Sequence, residues 1–272
     1  PSRIALDAEG NLYVTELGNS RVQKFSPSGT SLGMWGTTGS GDGQFTFPYG
    51  ITIDRAGFVY VTEGSTNHRI QKFDSAGVFV TKWGGPGSSD GQFQYPAAIA
   101  ADADGSLVVS DSGNNRVQKF SSDGQYITQW GTGGSGTGQF AYPYDVAVSS
   151  DDLVYVVDNE NNRIQVFNAS GAFVAAWGSF GTANGQFNLP SDVAIDSIGN
   201  VYVADAGNHR IQKFTAAGAY ITQWGTQGIL NGQFDSPSSV AVGTSNNVYV
   251  ADTGNNRIQK FTSTGSHLAT WG

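Results

Sequence analysis

The chain has 272 residues, 38% hydrophobic and 12% aromatic, with 38 glycines, 8 prolines and no cysteine. It is long enough to bury one large core, and it excludes a disulfide framework or a thiolate metal site. A formal charge of −8 and a pI near 4.7 disfavour nucleic acid and anionic lipid as partners, and no apolar run approaches the length of about 20 residues that a membrane-spanning helix needs.

Six consecutive units follow one another, starting at Pro1, Pro48, Pro96, Pro143, Pro190 and Pro237. Tryptophan–glycine pairs begin at Trp35, Trp83, Trp130, Trp177, Trp224 and Trp271, spaced 48 and then 47 four times. The one extra residue lies in EGSTNHR (63–69), which is longer than DSGNNR (111–116). Within a unit the elements are clearest in the fifth. A short apolar run, DVAID (192–196), is followed by the turn SIGN, then by VYVAD (201–205) and the loop AGNH. RIQKF (210–214) comes next, then the turn TAAG and a last strand, AYITQW (219–224). None of this has helical periodicity. Four short antiparallel strands at a period in the forties predict a β-propeller blade, and six units close a ring with no long free sheet edge. The fold is therefore expected to be all-β, a single six-bladed propeller over residues 1–272. The linkers carry GQF at 43–45, 91–93, 138–140, 185–187 and 232–234, five times in all. Both termini thus fall at one blade junction, where closure is expected to rest on side-chain packing.

Each second strand ends in an acid, and an arginine follows five or six residues later: Glu16 and Arg21, Glu63 and Arg69, Asp111 and Arg116, Asp158 and Arg163, Asp205 and Arg210, Asp252 and Arg257. A ring of twelve charges could serve a ligand. Ligand sites seldom have sixfold symmetry, however, whereas every blade needs its loop fixed, so these are expected to be structural pairs. The tryptophans and the GQF phenylalanines are read likewise as packing between blades. Lysine is nearly confined to the motif, as Lys24, Lys72, Lys119, Lys213 and Lys260, leaving no free basic patch. His68 and His209 occupy matching loops on opposite sides of the ring and cannot share a metal, while His267 lies in an outermost strand.

The pattern GQF-x-x-P-x-x-V-A-V-D, then G-N-V-Y-V-A-D, then N-x-R-I-Q-K-F, resembles the NHL-repeat family over essentially the whole chain. The resemblance implies the six-bladed ring and no particular chemistry, because a fold hosts many sites. NHL propellers that bind RNA present a basic face, from which this chain departs. Lyases similar to NHL proteins use a histidine-bound metal near the axis, and no histidines here match it. Lactonase-type propellers hold calcium with axial carboxylates. Asp145 and Asp192 could supply two of these, but the corresponding positions are Arg3, Gly50, Ala98 and Ser239. The two acids are expected to be a solvated pair at the channel mouth.

The copies differ beside the first strand and in the loop between the second and third strands, both expected on one face, the top. Arg3, Tyr49, Tyr144, Asp145, Asp192 and Glu160 are the candidate ligand residues, with two exposed tyrosines beside carboxylates. The expected function is a non-catalytic module for a protein, peptide or glycan. It would be a monomer with no cofactor, no nucleic-acid partner and no membrane insertion, forming part of a longer, prokaryotic, exported protein in an extracellular or periplasmic setting. The alternatives are a metal-dependent propeller enzyme of lactonase or lyase type, with axial calcium, and a ligand-free amplified or designed scaffold.

Overall fold

Stretches such as Val201–Asp205 and Arg210–Phe214 combine β-branched and aromatic residues and are flanked by short turns. In the turn after the first strand the Gly199 N–H donates to the Asp196 carbonyl at 3.0 Å, and Gly199 sits at φ +85°. Glycine reaches that conformation at no steric cost, so the chain reverses tightly into a hairpin. The computed structural model describes residues 1–243 and 245–272. It places four consecutive antiparallel strands in each of six sheets. Blades 1 to 6 span residues 4–35, 48–84, 96–130, 143–177, 190–224 and 237–271. The first strands line the central axis and the fourth strands form the outer rim. Three single-turn 3-10 segments, Ser112–Asn114, Ala206–Asn208 and Thr253–Asn255, occupy loops after second strands.

The core lies between blades. One cluster joins Tyr155, Val157 and Ile164 of blade 4 to Val193, Val203 and Phe214 of blade 5, with Phe187 of the linker wedged among them. All five GQF phenylalanines are fully buried. The glycines after the first five tryptophans leave room for them: a Cβ on Gly131 would stand 2.4 Å from the Phe140 ring. The tryptophans bridge outward in the same way. Trp177 of blade 4 covers the Gly218 turn of blade 5, where a Cβ would approach to 2.5 Å, and its ring lies 6.1 Å from Phe214.

Blade 6 meets blade 1 by the same tryptophan and strand packing, though no linker phenylalanine lies in this cluster. Trp271 covers Gly29, and Ile4, Leu12 and Val14 pack on Tyr249, Ala251 and Ile258. The Thr253 hydroxyl donates to the Pro1 carbonyl at 3.0 Å and the Ser238 hydroxyl to the Ser2 carbonyl at 2.7 Å. Each sheet is built from its own four strands, so none is exchanged across this seam. The inner strands enclose an axial cavity of about 370 Å³, walled largely by Ala, Val and Ile.

Candidate functional site

The acid–arginine loops turn on one residue. The position before each arginine is left-handed: Ser20, His68, Asn115, Asn162, His209 and Asn256 have φ between 45° and 54°. Asn and His tolerate this region better than branched side chains. The turn brings Arg116 back over Asp111, with Nε donating to Oδ2 at 2.7 Å. The other guanidinium nitrogens donate to the carbonyls of Ser88, Ser89 and Gln92, in the linker that enters the blade, at 2.8, 3.0 and 2.8 Å. Asp111 also accepts from the Gln94 backbone N–H at 2.7 Å and from the Asn114 and Gln118 amides. Burial pushes its pKa up in spite of these bonds.

Arg69 with Glu63, Arg163 with Asp158, Arg210 with Asp205, and Arg257 with Asp252 repeat the arrangement, with Nε–O distances of 2.6–2.7 Å and acids fully buried. Blade 1 differs in what surrounds its arginine. Arg21 Nε holds Glu16 at 2.6 Å, but Arg21 otherwise meets only the Met34 sulfur, and its side chain is 30% exposed. Burial acts upward on Glu16, yet the bonds from Arg21, Asn19 and Gln23 outweigh it and hold the carboxyl below its ordinary range. The motif arginines thus direct their donors into the protein.

Five of the six candidate ligand residues converge at the top of the axis, in a manner different from that expected. Arg3 is 3% exposed. Its guanidinium pairs with Asp192 and lies 3.5 Å from Asp145. It also donates to the Ser238 carbonyl at 3.3 Å and the Tyr144 carbonyl at 3.2 Å. The Tyr49 and Tyr144 ring centroids each stand 5.3 Å from its Cζ, and their hydroxyls bond to each other. The carboxylates reach sideways, Asp145 accepting from Val193 N–H at 2.8 Å and Asp192 from Val240 N–H at 2.5 Å. Asp145 and Asp192 are therefore buried partners of a cation, where a solvated pair was expected; Arg3, from the opposite side of the ring, displaces the solvent. Tyr49 is likewise buried, where it was expected exposed, because its ring covers Arg3. Burial alone would lower the Arg3 pKa, but Asp192 and Asp145 more than offset it and raise it. Burial first, then the Asp192 charge, raises Asp145 well above the usual carboxylate range, against the pull of Arg3.

What remains open on this face belongs to a cluster of tyrosines that sequence reading only half found. Tyr49, Tyr95, Tyr142 and Tyr144 form a closed set of neighbours, with centroids 6.2, 5.9, 6.0 and 5.6 Å apart in turn. Tyr95 and Tyr142 directly precede prolines and are left-handed, as are Phe47, Leu189 and Ser236 in the other linkers. Their backbone N–H groups donate to the preceding blade's loop: Tyr95 to His68 Nδ1 at 3.0 Å, Tyr142 to Asn115 at 2.8 Å, Leu189 to Asn162 at 2.8 Å and Ser236 to His209 Nδ1 at 3.1 Å. Two of the three histidines are thus accounted for as acceptors through Nδ1. The backbone is the same in all five linkers, but the side chain it presents is not. Phe47 and Leu189 are each 49% exposed. Glu160 is exposed, and its N–H bonds to the Ala141 carbonyl beside Tyr142 at 3.2 Å. Burial first, then Tyr95, Tyr144 and Glu160, pushes the Tyr142 phenol up to about 12.

Among the described residues no group of three or more His, Asp or Glu is placed to hold a metal ion, and no helix is long and apolar enough to cross a membrane.

No curated protein sequence matches the chain. Among solved structures, streptogramin B lyase matches at 17% identity over 100% of this chain and 82% of that one, TM-score 0.71. An inactive virginiamycin B lyase from Staphylococcus aureus, solved with quinupristin, matches at 17% over 98% and 83%, TM-score 0.70. The nidogen/laminin complex matches at 16% over 96% and 92%, TM-score 0.70. At such identities the likeness is one of fold. The NHL repeat matches residues 1–25, 45–73, 93–120, 140–167, 187–214 and 234–261. With six registered repeats and six blades of four strands, the chain belongs to the NHL-repeat family.

Proposed function

We propose that the chain is a non-catalytic binding module that takes a protein or peptide segment on its top face, across blades 2 to 4. The observation that carries this reading is the arc of Phe47, Tyr95, Tyr142 and Leu189, with Tyr144 on its inner side. One linker conformation presents a different side chain in each copy, and the large ones fall together. Aromatic rings give contact area at low entropic cost, and Tyr is favoured in interfaces. The arc spans three blades, which suits an extended chain better than a single sugar ring. The enzyme reading draws on axial carboxylates, and Asp145 and Asp192 are committed to Arg3 and to backbone N–H groups. The lyases among the structural neighbours share the fold at 17% identity, which favours no shared chemistry.

Selection from a displayed library of random peptides tests the reading. Peptides should be enriched on the wild type and should lose binding to the double variant Tyr95→Ala, Tyr142→Ala. Asp123→Ala, in an exposed turn on the opposite face, should retain them. Enriched peptides that ignore the tyrosines and fail on Asp123→Ala would overturn the proposal, as would enrichment of none.

A further inference from the structure

We infer that the segment bound on the tyrosine arc is basic: an arginine or lysine side chain stacks on Tyr142 and Tyr95 with its head toward Glu160, while flanking apolar residues lie on Phe47 and Leu189. This rests on the preceding reading that the top face is the binding surface.

The first argument is charge. Exposed acids on this face include Glu160, Asp42 and Asp90. Among the described residues no cation there is free to meet an acidic partner. The motif arginines are each held by their acid, and all but Arg21 also by linker carbonyls, while Arg3 is buried. Lys82 pairs with Asp42 at 2.6 Å. The lysines of the third strands point to the other face, where Lys72 donates to Ser122 and Lys260 to Pro27, both in turns between third and fourth strands. A basic partner is favoured by this balance, and an acidic one meets only cations already paired with carboxylates.

The second argument is local chemistry. The chain already holds one guanidinium in this cluster: Arg3 lies against Tyr49 and Tyr144, with carboxylates at its head. Tyr95 and Tyr142 are the next rings outward in the same cluster, half-exposed, and Glu160 is tied beside Tyr142 by the backbone bond to Ala141. The outer pair thus repeats the composition of the inner pair, two tyrosine faces and a carboxylate, with the cation missing. Ring faces attract cations through their quadrupole. Arg3 itself does not repel an incoming cation, because Asp192 offsets its charge within the same cluster.

Three fluorescein-labelled peptides of about twelve residues test this directly, alike in a glycine–serine background with two leucines and differing only in carrying two arginines, two glutamines or two glutamates. The arginine peptide should bind, and the glutamate peptide should not. Tyr95→Ala with Tyr142→Ala should raise the Kd for the arginine peptide about tenfold, and Glu160→Gln about threefold, with weaker binding at higher salt. The substituted side chains are partly or fully exposed, so unchanged melting confirms that the variants fold. Equal binding of the arginine and glutamine peptides, lost with the tyrosines, would overturn the basic preference and leave the top-face reading standing. Arginine-peptide binding that ignores the tyrosines and fails on Asp104→Asn, on the opposite face, would overturn both. Failure of all three to bind would overturn the basic preference, and the random selection would then decide the module reading.

Discussion

Arg116 and Arg21 occupy the same place in the same motif and differ only in what surrounds them. Arg116 is 8% exposed and meets three linker carbonyls besides Asp111, while Arg21 is 30% exposed and meets none. Arg116→Ala should therefore cost about 3 kcal/mol in urea melts, because it strands a buried carboxylate and three carbonyls. Arg21→Ala should cost under about 1 kcal/mol. Equal costs would mean that the linker bonds contribute nothing. The axis gives a pH prediction. Folded Asp145 keeps its proton to higher pH than the unfolded chain does, so between the unfolded value near 4 and the raised folded value the native state binds more protons, and stability falls as pH rises. Asp145→Asn removes that dependence. Its melting temperature should gain on the wild type from pH 4 towards pH 8, and a constant gap would contradict the assignment. The sequence marked Arg3, Asp145 and Asp192 as departures, but their pairing was illegible: Arg3 and Asp192 are 189 positions apart, and no local pattern reports a contact across the axis. Tyr95 and Tyr142 were legible in principle, since one linker position reads Phe47, Tyr95, Tyr142, Leu189 and Ser236. A residue before proline passes for connecting chain unless its left-handed backbone is known to stand the side chain outward.

At the scale of elements the strands were the most readable feature. β-Branched and aromatic runs bounded by glycine turns specify a hairpin from local chemistry alone, so four strands per unit could be counted directly. The 3-10 turns escaped notice because SGN, AGN and TGN carry no periodicity in three residues. Junctions between blades depend on two glycines per unit. Gly131→Ala sets a methyl group into the Phe140 ring from a residue at φ +99°, and it should cost about 2–4 kcal/mol by denaturant melting. Gly105→Ala, at φ +87° but with nothing within 4 Å, should cost only the backbone share, about 1 kcal/mol. The loop latches are interchangeable by chemistry: His68 and His209 accept the bond that Asn115 and Asn162 accept elsewhere. His68→Asn should leave the melt within about 0.5 kcal/mol of wild type, whereas His68→Ala loses the acceptor and should cost about 1 kcal/mol.

On the scale of the whole molecule, the seam between blades 6 and 1 holds by side-chain packing and a few hydrogen bonds. Arg3 reinforces it from the axis. It belongs to blade 1 and touches Tyr49 of blade 2, Tyr144 and Asp145 of blade 4, Asp192 of blade 5 and the Ser238 carbonyl of blade 6. Such a buried ionic cluster adds little net stability but can select one arrangement among similar ones. A triple variant built to match Ala98 and Ser239, with Arg3→Ala, Asp145→Ala and Asp192→Ser, should melt no lower than the wild type. When refolded at high concentration it should form dimers that exchange blades between chains, seen by light scattering on a sizing column. A triple variant that stays strictly monomeric would remove the selective role. The same cluster bears on how such a chain can change over generations. Repeats this alike invite unequal recombination, and a sixfold ring of identical units would accept any exchange between them. Loss of the unit that carries Asp192 would leave the Arg3 guanidinium without its nearest carboxylate in the interior, which is destabilising. The charges at the hub thus mark three of the six repeats, and a salt bridge opposes the loss of one of them.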